Sequence, residues 1–333
     1  MLRRNLSQFG PAVSAFGLGC MGMSGMYGPA ERAESIATLH AALEVGITLL
    51  DTGDFYGMGH NELLIREGLT GGKRDNLLLS VKFGALRDPS QGWLGYDARP
   101  AAVRNFLAYS LQRLGTDYID IYRPARLDPN VPIEETVGAI ADAIKAGWVR
   151  YVGLSEVGAA TLRRARAVHP ICDLQIEYSL ASRGIEAEIL PTCRELGIGI
   201  TAYGVLSRGL ISGHWSRERS AVEKGFRGMS PRFQGENLER NLALVEQLRA
   251  VAQEIGASVA QVAIAWVAAQ GDDIVPLIGA RRRQQLAESL GALDLELTAE
   301  QLARLAKAVP PDAVAGERYP AAQIAHMDSE RKR

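Results

Sequence analysis

What this sequence lacks narrows its chemistry before anything present is weighed. Its three cysteines, Cys20, Cys172 and Cys193, are far apart and odd in number. Neither a disulfide framework nor a zinc spacing can be built from them, which fits a reducing compartment. The five histidines, His40, His60, His169, His214 and His326, contain no pair at ligand spacing, so a metal-dependent hydrolase is disfavoured. No excess of charge exists: 37 Lys and Arg against 38 Asp and Glu leave −1. That is not the basic footprint of a nucleic-acid binder. No run of about 18 apolar residues occurs, so no membrane span is expected. The stretch after Arg3-Arg4 is broken by Asn5, Ser7, Gln8, Gly10, Pro11 and Ser14. It lacks the apolar core of a secretory signal and reads as a β-hairpin tipped by Gly10-Pro11, which implies a cytoplasmic protein.

What is present is enough for a large core: 47% of 333 residues are hydrophobic. Short β-rich runs alternate with helical periods. Strands are expected at Ala15–Gly19, Ile47–Asp51, Leu77–Lys82, Ile119–Arg123, Val149–Ser155, Leu174–Ile176, Ile198–Ala202 and Asp273–Leu277. Helices are expected at Ala30–Val45, Asn61–Leu69, Arg99–Leu114, Ile133–Ala146, Ala159–Val168, Ile185–Leu196 and Leu238–Ile255. Gly46, Gly115, Gly147, Gly197 and Gly256 follow such helices, as C-cap chemistry demands. Eight strands with intervening helices match an α/β fold of the (β/α)8 TIM-barrel type better than a doubly wound sheet, although local alternation alone permits both. No composition shift marks a linker, so residues 1–333 read as one domain ending in a polar tail, Gly316–Arg333, a mobile end by composition although in such a barrel a tail can reach the mouth. Two long segments, Asp88–Arg99 and Ser207–Glu236, follow strands and are candidate substrate lids.

Gly17-Leu-Gly-Cys-Met-Gly22 spells a dinucleotide fingerprint, but a loop follows it where a helix is required. The stronger constellation is Asp51 and Lys82 at the ends of neighbouring strands, with Tyr56 five residues past Asp51. Singly, these fit a structural ion pair and a packed ring. Together at one barrel mouth they suit acid catalysis: Lys82 would lower the phenol's pKa while Asp51 keeps the lysine charged.

At these residues the sequence resembles the aldo-keto reductase superfamily. The resemblance rests on Leu49–Glu62, Leu78–Lys82, Tyr118–Tyr122 with Asp128–Thr136, and Gly147–Glu156, and it runs from the hairpin to about Val309. It implies a (β/α)8 barrel closed below by an N-terminal hairpin, long loops at the C-terminal face, and NADPH bound without a Rossmann fold. Tyr56 would be the general acid, Lys82 its partner and Asp51 the counter-ion. The superfamily's catalytic histidine falls at Ala125 and is missing; strand alternation is expected to turn Arg123 and Arg126 away, and His60 reads as a loop residue. Pro124–Pro129 with Leu174–Arg183 resembles the pyridoxal reductase branch, which also departs from the histidine pattern. A pyridoxal-type aldehyde, polarised by its own ortho hydroxyl, is therefore the expected carbonyl substrate.

The same resemblance assigns cofactor contacts. Ser155 and Gln175 would hold the nicotinamide amide, Tyr203 would stack on its ring, and Gly19, Cys20 and Met21 would line its side, with Asp51 nearby. Gly204, Val205, Leu206, Ser207, Gly209 and Leu210 would surround the pyrophosphate. Gly279 and Arg281 would take the 2′-phosphate of NADPH, and Gln285 and Glu288 the adenine. The rival reading is a cofactor-holding barrel with a redox-sensing or regulatory role. Neither membrane nor nucleic acid is an expected partner, and a homo-oligomer is left open.

Overall fold

In a computed structural model, described for residues 1–70, 74–90, 92–222 and 225–331, the chain opens with a hairpin. Strands β1 (Arg3–Asn5) and β2 (Ala12–Ser14) pair antiparallel, with Arg3 opposite Ser14. Gly10-Pro11 lies in their connection, where the Leu6 N–H donates to the Pro11 carbonyl.

The barrel begins with β3 (Gly17–Gly19), β4 (Leu49–Gly53) and β5 (Leu78–Phe83). A small hairpin of β6 (Ala85–Arg87) and β7 (Trp93–Tyr96) interrupts it. The barrel continues through β8 (Ile119–Pro124), β9 (Val149–Ser155), β10 (Ile171–Glu177), β11 (Gly199–Tyr203) and β12 (Ile274–Gly279). These eight parallel strands close, β12 returning to β3. The expected barrel is therefore the observed one. Strands β4 and β12 run two residues further than expected and four others one, β4 because its ladder continues past Asp51 through Thr52 and Gly53.

Helix Ala159–Val168 keeps its expected bounds. Helix Val259–Ala268 escaped the periodicity search because eight of its ten residues are buried, leaving no polar face to set a period. Its Ser258–Gln261 capping box was the available signal. The expected helix Ile185–Leu196 divides into a turn at Gly184–Glu186 and a helix from Ile189 to Leu196. The segment Asp88–Arg99 folds largely into the β6–β7 hairpin, and Ser207–Glu236 into short helical turns; Gln91 and residues 223–224 of these lids lie outside the described residues. No single helix among the described residues is long and apolar enough to cross a membrane.

Alternate residues of each strand face the barrel axis. At the bottom they are apolar: Leu49, Ile121, Cys172, Val275 and Leu277 enclose Leu6 and Val13 of the hairpin, both 0% exposed. The fit is close enough that a Cβ on Gly199 would stand 1.3 Å from the Leu6 carbonyl oxygen. Arg4 holds the hairpin in place by donating to the carbonyls of Ala268 (2.8 Å) and Gly271 (3.0 Å) at the end of a helix, where a cation suits both the orphan carbonyls and the dipole.

Candidate active site

Above the apolar plug the inward positions become polar. Asp51 of β4 and Lys82 of β5 form an ion pair, Nζ to Oδ2 2.6 Å, with both side chains buried. Asp51 Oδ1 accepts from Ser80 Oγ (3.0 Å) and Gln175 Nε2 (2.7 Å), so residues of β5 and β10 together orient one carboxylate of β4. The loop after β4 brings Tyr56 over the pair, and Lys82 Nζ stands 5.1 Å from its ring centroid. Asn61 fixes this loop, accepting from Thr52 Oγ1 at 2.7 Å and donating to the Cys20 carbonyl at 2.9 Å. His60, expected in the loop, begins helix His60–Gly68 and meets Ser24 Oγ through Nδ1 at 2.9 Å.

The expected lowering of the Tyr56 phenol is not found; its pKa moves upward. Burial raises the phenol well above its usual range, and the nearby Asp51 charge raises it further. Burial lowers Lys82, with Asp51 opposing and Arg123 assisting. The physical reason is that Asp51 already neutralises the ammonium at hydrogen-bond distance, so little positive field remains for the phenol. Tyr56 thus stays protonated, and Lys82 holds its proton less tightly than a free lysine does.

Arg123 does not turn away from the interior. It shares the parity of Ile121, lies beside Lys82 in register, and its Nη1 is 3.0 Å from Asp173 Oδ2 with both side chains 0% exposed. This pair needs room: a Cβ on Gly153 would come 2.7 Å from Asp173 Oδ1 and 3.0 Å from Arg123 Nε. Arg126, beyond the end of β8, also stays at the mouth, donating to the Ala125 carbonyl (2.6 Å) and the Tyr319 hydroxyl (3.3 Å). Ala125 is buried, and it presents only a methyl.

A second carboxylate site underlies the Tyr56 loop. Asp54 Oδ2 accepts from the Gly84 N–H at 3.3 Å, whereas Asp54 Oδ1 and Glu62 Oε1 are buried without a hydrogen-bond partner. Burial, then the neighbouring Glu62, pushes Asp54 up to about 7. On the outer side, Phe55 meets the Tyr56 ring edge-on at 4.8 Å and Trp93 at 5.7 Å, forming an aromatic wall.

The residues assigned to the cofactor line the same face. Ser155 Oγ, at the end of β9, is buried and has no hydrogen-bond partner, a vacant polar contact that suits a carboxamide. Gly19 and buried Cys20 adjoin Asp51, whose carbonyl accepts from the Cys20 N–H at 2.9 Å, and Met21 starts the turn Met21–Ser24. After β11, Gly204, Ser207, Arg208 and Gly209 all have left-handed backbone, and the Ser207 and Gly209 N–H groups bond within the loop. Val205, Leu206 and Leu210 complete that loop. Arg281, following Gly279, reaches the Tyr27 and Gly28 carbonyls at 2.8 and 3.0 Å, while Gln285 accepts from its N–H at 3.2 Å. Glu288 faces His214 at 3.0 Å, and Arg283 pairs with Glu34 at 2.8 Å. Among the described residues no group of histidine, cysteine or acidic side chains could hold a metal ion.

The polar tail is not a loose end; Lys332 and Arg333 lie outside the described residues. Arg318 and Tyr319 are buried at the mouth. Arg318 pairs with Glu156 at 2.5 Å, and the Tyr319 hydroxyl meets that of Tyr203 at 2.9 Å. Tyr203 also donates to Glu156 Oε1 at 2.6 Å, so its hydroxyl end is held from two sides. Burial works against the charged Glu156, yet Arg318 and Arg126 hold its carboxyl well below the usual range. Sequence reading assigns no role to Arg318 or Tyr319, and expects Arg126 to turn away. The only hint was an arginine–tyrosine pair set in an otherwise small-residue segment.

Comparison with known proteins agrees with this geometry. The Aldo/keto reductase family model matches residues 15–310. Over 310 residues the chain is 41% identical to probable aldo-keto reductase 1 of Glycine max, covering 92% of this chain and 88% of that protein. Its fold is similar to that of a glycerol dehydrogenase from Gluconobacter oxydans, with a TM-score of 0.83, 27% identity, and 93% and 96% of the two chains covered. An aldo-keto reductase from Bacillus halodurans, in its holo form, matches with a TM-score of 0.78 at 26% identity over 93% and 97% of the chains.

Proposed function

The chain belongs to the aldo/keto reductase family and is an oxidoreductase; from that premise we propose that it reduces an aldehyde or ketone to the alcohol with NADPH, Tyr56 donating the proton. One observation carries the reading: the buried Asp51–Lys82 pair at 2.6 Å with Lys82 beside the Tyr56 ring. The bound nicotinamide would supply a hydride to the carbonyl carbon. Tyr56, raised in pKa by burial, presents an O–H to the carbonyl oxygen at every working pH. As that oxygen gains charge, the phenol hydrogen bond strengthens and then transfers the proton. The phenolate would form beside Lys82, which, holding its own proton weakly after burial, would return a proton to it.

Ser155 and Gln175 are the proposed carboxamide contacts, the unsatisfied Ser155 hydroxyl being the supporting observation. Tyr203 offers an aromatic face. Residues Gly204 to Leu210 would take the pyrophosphate, and Arg281 the 2′-phosphate, with Gln285 and Glu288 toward the adenine. The leading substrate is a pyridoxal-type aromatic aldehyde. Phe55 and Trp93 supply a wall suited to an aromatic ring, and an ortho hydroxyl would stand in for the histidine absent at Ala125.

Following NADPH absorbance against a carbonyl panel that includes pyridoxal tests this reading. Tyr56→Phe should lower kcat by about two to four orders of magnitude while leaving the melting temperature close to wild type. Unchanged turnover in Tyr56→Phe would refute the assignment. Arg281→Ala should weaken NADPH much more than NADH. A regulatory, cofactor-holding barrel is favoured by the tail closing over Tyr203 and Glu156; steady multiple turnover by the wild type eliminates it.

A further inference from the structure

Arg126 lies at this mouth and takes no part in the mechanism above. The other buried guanidiniums there have carboxylate partners: Arg123 with Asp173 at 3.0 Å, Arg208 with Glu177 at 3.2 Å, Arg232 with Glu177 at 3.5 Å, and Arg318 with Glu156 at 2.5 Å. Arg126 has none within ion-pair distance among the described residues. Its protein partners are its neighbour's carbonyl and the Tyr319 hydroxyl, two acceptors for a group with five N–H donors. It is nonetheless partly buried, under the face of Tyr319 at 5.8 Å and beside Tyr96 and the tail residues Gln323, His326 and Met327. Its field reaches the reacting phenol, because Arg126 is the cation that pulls Tyr56 down against burial, and it acts on Tyr96 as well. A partly buried guanidinium with no carboxylate at ion-pair distance, only Glu156 acting on it from further off, is costly to keep in a folded protein. Within electrostatic reach of Tyr56, it is a fork shaped for a two-oxygen anion.

We propose that Arg126 binds an anionic group, a carboxylate or phosphate ester, carried by the carbonyl substrate, and that the enzyme therefore selects acidic aldehydes or ketones. The proposal rests on the reductase reading and deepens it. The anion would take the N–H now donated to Tyr319, holding the substrate at one end while Tyr56 addresses its carbonyl at the other.

Turnover of two matched pairs tests this: 4-formylbenzoate against its methyl ester, and pyridoxal 5′-phosphate against pyridoxal. In the wild type, kcat/KM should favour the anionic member of at least one pair by about tenfold, mainly through KM, as one charge-assisted contact predicts. Preference in the first pair alone assigns a carboxylate, and in the second alone a phosphate. Arg126→Gln should abolish the preference, and Arg126→Lys should retain part of it. No preference in the wild type, or equal losses for charged and neutral substrates in Arg126→Gln, would overturn the proposal. If no aldehyde is reduced at all, the reductase reading fails, and calorimetry with 4-(hydroxymethyl)benzoate and pyridoxine 5′-phosphate still decides the site. Binding to wild type that is about tenfold weaker in Arg126→Gln supports it, and binding that is equal in the two or absent from both refutes it.

Discussion

The two ends of this barrel solve opposite problems with the same eight strands. Below, Leu6 and Val13 fill a ring of Leu49, Ile121, Cys172, Val275 and Leu277, and burial itself is the stabilising term. Above, Asp51, Lys82, Glu156, Glu177, Arg208 and Arg318 are buried as charges, each of which costs desolvation that only a partner offsets. Backbone strain follows the same division. Among the described residues, the four non-glycine positions with left-handed φ, Met58, Glu156, Ser207 and Arg208, all lie in loops of the upper face. One end holds the fold together, and the other spends stability on chemistry.

Beyond Tyr56→Phe, which should cost rate and little stability, three substitutions probe this division. The largest effect is expected from Asp173→Ala, between the two layers. It strands Arg123 as a buried charge and should cost about 3–5 kcal/mol in urea unfolding. Because Arg123 also donates to Ser80 Oγ at 2.9 Å, and Ser80 to Asp51, kcat should fall too. Full activity in the folded variant would make the layers independent.

Asp54 comes next, with a pH signature. Its carboxyl is raised from 3.8 to about 7 in the folded chain. Between those values the native state keeps a proton that the unfolded chain has released, so this contribution favours folding below pH 4 and is lost as pH rises through 7. At 1.36 kcal/mol per unit the full span is roughly 4 kcal/mol. Asp54→Asn should therefore gain stability relative to wild type as pH rises from 4.5 to 8. A difference independent of pH would count against the assignment. The smallest effect is expected at the bottom: Leu6→Ala should cost about 3 kcal/mol by opening a cavity, and kcat and KM should not change. A shift in KM would mean that the plug also shapes the mouth.

Much of the upper site was legible in the chain. Asp51 and Lys82 end polar-capped β runs on consecutive strands, and parallel register puts Asp51 opposite Ser80, with Lys82 two residues further along on the same face. Arg123 could have been read the same way: it follows Ile121 at a spacing of two, and Ile121 belongs to the inner cluster. Arg126 could not, because alternation stops where the strand does. Helix Val259–Ala268 was hidden by its own burial, since an element wrapped on all sides carries no amphipathic stripe.

Sequence alone determined the alternation of strand and helix, the glycine caps, the hairpin, and the grouping of Asp51, Tyr56 and Lys82, because side-chain period and cap chemistry are properties of neighbouring residues. Tertiary structure alone decided that Tyr56 holds its proton more tightly, that Arg126 faces the mouth without a carboxylate, and that the tail seats there. Those outcomes depend on burial and on fields between remote segments; Arg318 and the Glu156 it pairs with are 162 residues apart.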